Sequence, residues 1–344
     1  MKLNTLQFGK AMSAALFVLL LSVVGMKNAL AQNQVATLQH NDTITGVYYG
    51  ANAFVSAHNA AVNGDVITLS SGTFNSCEIN KALVIHGAGC ALDTINNVLP
   101  TIVSGNFRFT CSNVSLEGIK FPGSISLYAF NNVSNLSFVK CYIEAISNGY
   151  VWGNCALYNN QFVNCIINSF SSSRFFGTSI INSVVKFTNY DHSDVNQCTT
   201  INNSIILFDN ELPINNLVAY NSIIATVSGH SVSNCTFLNC IGIQTGETLL
   251  FEGQIIQNVM EVDNYEDVFE TFSGTITNEN IYQLKEEVAT SFMGHDGSEV
   301  GIYGGIMPYN PRPSYMIMKH CNVAPRSTID GKLSVDIEII AGDE

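Results

Sequence analysis

One short pattern recurs between Asn113 and Ile243 and constrains this chain more than any other feature. An Asn precedes a small residue, and the small residue precedes an aliphatic pair. It reads Asn164-Cys165-Ile166-Ile167, Asn182-Ser183-Val184-Val185, Asn203-Ser204-Ile205-Ile206, Asn221-Ser222-Ile223-Ile224 and Asn239-Cys240-Ile241. Looser copies stand at Lys140-Cys141-Tyr142-Ile143 and Glu117-Gly118-Ile119, which puts the small residue at 118, 141, 165, 183, 204, 222 and 240. Units spaced by about 18 to 24 residues cannot bury their apolar faces alone, so neighbours must stack into a solenoid. The position two after the small residue (Ile143, Ile167, Val185, Ile206, Ile224) is expected to form an interior aliphatic stack, and the small slot to face the crowded interior. Asn164, Asn182, Asn203, Asn221 and Asn239 form one turn column, and Asn113, Asn135, Asn160, Asn216 and Asn234 a second. Asn tolerates the left-handed backbone of tight turns, and stacked Asn side chains can bond to one another along the axis.

Charge bounds the partners. Only 12% of residues are charged, and 15 of the 27 acids follow residue 260, so the repeats are nearly uncharged. Residues 1–31 have the form of a secretory signal: Lys2 and Lys10, an apolar run from Ala14 to Val24, and Ala29-Leu30-Ala31 before the expected cut. That run is shorter than the ~20 residues needed to span a bilayer. No Cys lies near the cut, which argues against a lipid-anchored lipoprotein. Loss of the segment removes Lys2, Lys10 and Lys27 and takes the formal net charge from −13 to −16. Such a chain is a poor ligand for nucleic acid, which needs Lys and Arg against phosphate. No later segment reads as a membrane span. The expectation is an exported protein, secreted, periplasmic or on the cell surface.

Ten cysteines invite disulfides in an exported chain. Cys141, Cys165 and Cys240, however, occupy the slot held elsewhere by Ser or Gly, where a thiol serves as a small filler. Residues stacked one strand apart, ~4.8 Å, are slightly too far at Cβ for a relaxed disulfide. Mostly free, buried thiols are expected. No Cys-x-x-Cys pair occurs, so a zinc site is not expected.

Along the chain, residues 32–50 read as a polar lead, and 51–63 as a short helix with Phe54, Ala57, Ala61 and Val62 on one face. Gly64 ends it. Regular coils follow over 65–253 and irregular closing coils over 254–305, with a short helix within 277–288. Residues 306–318 are rich in Pro and Tyr and read as a linker or extended strap. The tail to 344 reads as two strands, His320–Ala324 and Lys332–Ile340, around Asp330-Gly331.

Two stretches carry a family resemblance. Asn59-Ala60-Ala61-Val62-Asn63-Gly64-Asp65-Val66-Ile67, with Ser71-Gly72-Thr73-Phe74 and the strand ending His86-Gly87-Ala88-Gly89, resembles the opening of right-handed parallel β-helix proteins of the pectin-lyase-like superfamily. Tyr282-Gln283-Leu284 and Gly294-His295-Asp296-Gly297-Ser298-Glu299-Val300-Gly301-Ile302-Tyr303-Gly304-Gly305 is similar to the closing segment of secreted bacterial β-helix proteins. That segment usually has Ser-Pro-Ala-Ile before the Asp-Gly, and Ala289-Thr290-Ser291-Phe292 stands here instead. Together with the repeats, the resemblance covers residues 50–305 and implies a right-handed parallel β-helix. With the cap helix and tail strands read above, the expectation is an all-β chain with a solenoid domain over 32–305, an N-terminal capping helix, and a linker and short C-terminal β-hairpin tail over 306–344. The resemblance implies little about activity, because this fold hosts many.

Chemistry is thin on the ground. Between residues 65 and 250 no paired Asp-Asp occurs, and the residues that polygalacturonase-like enzymes use are absent; Gly229-His230-Ser231 is only a fragment of one such motif. A glycoside hydrolase needs two suitably placed carboxyls. The one charged knot is Asp191-His192-Ser193-Asp194, with Asp209 and Glu211 about one coil later. It is either a solvated turn, the ordinary outcome, or a general base or calcium-holding edge. Arg174 and Lys186 are isolated in the sequence. Trp152, the only Trp, is a candidate sugar-stacking platform against the more common reading of a half-buried aromatic. No cofactor is expected, calcium being the one alternative. The leading expectation is a non-catalytic exported scaffold that binds polysaccharide or adheres to it. The alternative is a polysaccharide lyase or glycoside hydrolase of pectin-lyase-like fold.

Overall fold

The computed structural model describes residues 34–126, 132–147, 156–171, 175–190, 197–209, 213–227, 231–245, 255–277, 279–314, 317–323, 327–332 and 334–340. These build a nearly all-β chain whose body is a parallel β-solenoid of about 8 turns. Among them, no helix is long and apolar enough to cross a membrane.

Each turn contributes strands to columns that run along the axis. The first column stacks Val66–Leu69, Val84–His86, Val114–Glu117, Leu136–Val139, Gln161–Val163, Thr178–Ile181, Thr199–Asn202, Leu217–Tyr220, and the starts of Thr236–Thr245 and Ile255–Val262, all in parallel register. The second begins at Gly72–Asn75 and Thr101–Ser104 and continues through the aliphatic pairs at 142–143, 166–167, 184–185, 205–206 and 223–224. A shorter third column pairs Val133–Ser134, Leu157–Tyr158 and Phe175–Phe176, and then Ile214–Asn215 with Val232–Ser233.

The aliphatic pair explains itself once stacked. Successive strand residues point to opposite faces, so one member of each pair goes inward and its neighbour outward. Ile143, Ile167, Val185, Ile206 and Ile224 are buried in the central core, as expected. Phenylalanines fill the rest of that core in stacks: Phe138 on Phe162 at 5.1 Å, Phe170 on Phe187 at 5.2 Å and Phe187 on Phe208 at 5.3 Å between ring centroids. The outward members Tyr142, Ile166, Val184, Ile205, Ile223 and Ile241 are buried too, in a second apolar cluster. Burying such a side chain is worth about 1.5–3 kcal/mol, so a cover over this outer stripe contributes substantially.

The small slot lies inside. Cys141, Cys165, Ser183, Ser204, Ser222 and Cys240 are buried, and the serines form a ladder. The amides of Cys165, Ser183 and Ser204 donate to the hydroxyls of Ser183, Ser204 and Ser222, one turn on, at 2.9, 3.1 and 3.1 Å. Each of those hydroxyls donates to the carbonyl two residues before it. Eight cysteines among the described residues are free thiols. Burial pushes the thiols of Cys77, Cys90 and Cys240 up to about 12. Cys155 and the side chain of Cys321 lie outside the described residues.

Both turn columns hold left-handed backbone, with two corrections of register. In the first, Asn164, Asn182, Asn203, Asn221 and Asn239 have φ between 45 and 53°. Gly118 belongs to this column and not to the small slot: Lys120 pairs with Tyr142 and Tyr142 with Ile166, so Gly118 aligns with Lys140 and Asn164. In the second column Asn159, with φ 55°, takes the place expected for Asn160. Asn160 instead points inward and accepts from the Leu136 amide at 3.3 Å. Side-chain bonds along the axis join Asn135 to Asn113 at 2.8 Å, Asn234 to Asn216, and Asn258 to Asn239 at 2.7 Å.

At the start, residues read as a polar lead form an antiparallel hairpin, Val35–His40 with Thr43–Tyr49, turning on Asn41 and Asp42 at positive φ. Val35–His40 also pairs antiparallel with Val66–Leu69. The helix spans Ala53–Ala60, and Ala53, Phe54 and Ala57 are buried, with Phe54 stacked on Phe107 at 6.1 Å. Ala61 is buried and already extended, which turns Val62 out to solvent rather than onto the helix's apolar face.

The finish departs most from the sequence reading. A short helix lies at Glu286–Ser291, later than expected. Residues 294–314, expected in part to close the last turn, instead run back along the outside of the solenoid. Gly294 and His295 sit at Asn221, Gly304 and Gly305 at Asn203, Asn310 at Asn164, Pro313 over Gly89 and Gly118, and Ser314 at Glu117. Together with 265–292 they lay Val268, Phe269, Phe272, Ile276, Tyr282, Leu284, Val288, Val300 and Ile302 on the outer aliphatic stripe. The outer member of each pair is therefore apolar because this returning segment covers it. The tail strands Ile317–Val323 and Val335–Ile340 pair antiparallel in a sheet of their own.

Candidate functional site

Of the acids singled out from the sequence, Asp209 lies within the described residues, at the exposed end of strand Ile205–Phe208. Lys186, isolated in the sequence, comes from the preceding turn and places Nζ 2.8 Å from Asp209 Oδ2. Asp209 is exposed and Lys186 half-buried, and pairs at the surface of this kind are worth about 0–1 kcal/mol. The neighbouring cation leaves Asp209 as one half of an ion pair. Asp191, His192, Asp194, Glu211 and Trp152 lie outside the described residues, as do Arg174 and His230. No group of three His, Cys, Asp or Glu side chains among the described residues could hold a metal ion.

Two further acid–imidazole contacts serve the fold. Asp65 is buried, lies 2.6 Å from His40 Nδ1, and accepts from the Val62 amide at 2.8 Å. Burial pushes the Asp65 carboxyl up, and the Val62 and His40 hydrogen bonds outweigh it and hold the carboxyl below its usual range. Glu117 lies 3.6 Å from His86 Nδ1, one turn earlier, and accepts from the Ser314 amide at 2.8 Å. Burial again opposes ionisation, and His86 and Ser314 outweigh it. The Ser314 side chain also hydrogen-bonds Glu117, which ties the returning chain to this pair.

What distinguishes the outer flank is its lack of charge. The first-column strands from Leu136 to Gln257 contain not one Asp, Glu, Lys or Arg. At the far end of this flank lies a trough of about 390 Å³, lined by Asn202, Tyr220, Asn221, Leu238, Asn239, Gln257 and His295. Strand register sets four of these in one file along the axis, Asn202 beside Tyr220, Tyr220 beside Leu238, and Leu238 beside Gln257. His295 joins them from the returning segment, whose main chain is fixed there by its amide bond to Asn221 Oδ1 at 2.9 Å. Tyr220 is 37% exposed, and Asn202 and Gln257 are exposed. Chemically the trough offers amide donors and acceptors around one aromatic face.

The position before the turn Asn carried a readable signal for this trough. It is aliphatic at Val163 and Ile181, then becomes Asn202 and Tyr220. His295 carried none, because nothing in the sequence fixes where the returning segment lies. No family model and no curated protein matches the chain.

Proposed function

We propose that this protein is an exported, non-catalytic right-handed β-helix scaffold that binds glycans on its outer flank. The uncharged first-column flank carries this reading. A glycan-cleaving solenoid needs carboxyls or a base with a metal at its working face, and the described strands of this face supply amides, hydroxyls and a tyrosine instead. The signal-like residues 1–31 support export. The helix Ala53–Ala60 with its buried Phe54 serves as the cap at the first turn, as solenoid ends require. Right-handed crossovers between parallel strands are the rule in ~98% of cases, which supports the handedness.

The test is a glycan array with the purified protein, run beside assays for reducing ends and for unsaturated products. Binding without turnover is the expected result. Turnover above a blank would overturn the non-catalytic reading and favour a lyase or hydrolase. Binding to no glycan would overturn the glycan reading.

A further inference from the structure

Resting on the glycan reading above, we infer that the trough formed by Asn202, Tyr220, Asn239, Gln257 and His295 is the binding subsite and that its ligand is an uncharged polysaccharide laid along the solenoid axis.

Strands one turn apart are ~4.8 Å apart, so the file from Asn202 to Gln257 extends over three such steps, about 14 Å. That length admits a short run of sugar rings in line and not merely one. A volume of about 390 Å³ falls in the range of small-molecule sites.

Chemistry selects the ligand class. Among the described residues, the Asn202 and Gln257 amides make no side-chain hydrogen bond, so each presents one acceptor and two donors to the trough. Such pairs suit the neighbouring hydroxyls of a sugar. Tyr220 presents a ring on which the apolar face of a sugar can lie, with a hydroxyl at its rim. No Lys or Arg lines the trough. Asp296, next to His295, is held ionised by its hydrogen bond from Ser298, which lowers its carboxyl. An acidic polysaccharide or a nucleic acid would find no Lys or Arg in the trough to receive it, and the one carboxylate held ionised nearby has the wrong sign. An extended peptide fits no better. Peptides join sheets through free backbone edges, and the backbone on this flank is already bonded from turn to turn.

One wall of the trough belongs to the returning segment. His295 is anchored through its main chain to Asn221, which itself lines the trough. A ligand that touches both Tyr220 and His295 bridges solenoid and returning segment, and its binding slows exchange of the amides around His295.

The experiment uses the full mature chain. Affinity is measured by calorimetry for soluble neutral polysaccharides (xyloglucan, mixed-linkage β-glucan, galactomannan, arabinoxylan) and for polygalacturonate, at low and high salt. The variants are Tyr220→Ala, Gln257→Ala and Asn202→Ala. Gln161→Ala, on the same flank but outside the trough, is the control. Thermal melting of each variant establishes that it is folded. The expected result is binding of at least one neutral polymer, weakened about tenfold or more by Tyr220→Ala, unchanged by Gln161→Ala and insensitive to salt. Hydrogen exchange on the ligand-bound chain is expected to show protection at 294–298. Wild-type binding that survives all three trough substitutions would overturn the subsite and leave the glycan reading intact. Binding confined to polygalacturonate would overturn the uncharged class. No binding to any polymer here or on the array would overturn both readings.

Discussion

The Asn182 side-chain amide donates both of its hydrogens to the returning segment, to the Ile302 carbonyl at 2.9 Å and to the Gly304 carbonyl at 2.8 Å. Asn164 acts similarly one turn earlier, accepting from the Asn310 amide at 2.8 Å. One turn column thus holds two roles: its backbone makes the turn and its side chains bind the segment that crosses it.

Asn182→Ala removes both bonds and leaves two carbonyls beside a buried apolar stripe. A buried group left unsatisfied costs about 1–3 kcal/mol, and a non-Gly, non-Asn residue in left-handed backbone adds roughly 1–2 kcal/mol. Asn182→Gly keeps the backbone at ease and loses only the bonds. Urea unfolding is expected to rank the wild type above Gly and Gly above Ala, with proteolysis between 302 and 310 faster in both variants. Equal stability of Gly and Ala would show that backbone strain plays no part at 182.

The serine ladder predicts an asymmetry at one site. Ser222→Leu forces a large side chain into the interior slot, where overpacking costs about 1–3 kcal/mol. Ser222→Cys keeps the size of the filler, as Cys141, Cys165 and Cys240 do in other turns, and loses one good acceptor for the Ser204 amide. Denaturant midpoints should fall strongly for Leu and slightly for Cys. A Leu variant as stable as the wild type would place residue 222 outside the core.

Acid should loosen the end of the returning segment first. The Glu117 carboxyl is lowered on folding, so its contribution is fully present above the ordinary Glu range and is lost as pH falls through its depressed folded value. The protection factor at Ser314, taken against the intrinsic exchange rate at each pH and followed from pH 7 downward, is expected to fall in acid. Glu117→Gln should exchange faster at pH 7 and lose most of this pH dependence. Unchanged protection in that variant would show that Glu117 does not hold the segment.

The buried thiols make a chemical prediction. Reactive thiols are exposed and have depressed values, whereas Cys90 and Cys240 are buried and pushed up to about 12. Both should resist a thiol reagent in the folded protein and react fully in denaturant. Rapid labelling of Cys240 under native conditions would contradict the packing at its slot.

The inner face was legible because stacking forces equivalent residues into the same environment, so Ile143 to Ile224 announced themselves by period alone. The left-handed Asn turns were legible for the same reason. Two errors of register, at Gly118 and Asn160, arose where the repeat length changes and neighbouring residues compete for one slot. The returning segment was not legible as such. Its hold on Asn182 and Glu117 spans well over a hundred residues and has no period, so its sequence could be likened to a closing segment without revealing where it lies. The outer aliphatics at Ile166, Val184 and Ile205 were a clue in plain sight, since a wall exposed to water would have no use for them. The trough shares this history. Its file of first-column residues could have been aligned from the repeats, and its His295 wall could not.

A segment that touches successive turns in reverse order is also a ruler. Three Asn of the turn column, and Glu117 beyond them, are each matched to their own mark on the segment: Asn221 to His295, Asn182 to Ile302 and Gly304, Asn164 to Asn310, and finally Glu117 to Ser314. Repeat proteins usually lengthen or shorten by duplicating or losing a unit. Here an added turn would shift every later mark by ~4.8 Å and leave the outer stripe partly bare unless the segment grew in step. Two distant parts of the gene must then change together, and the number of turns is fixed by a measurement the chain makes upon itself.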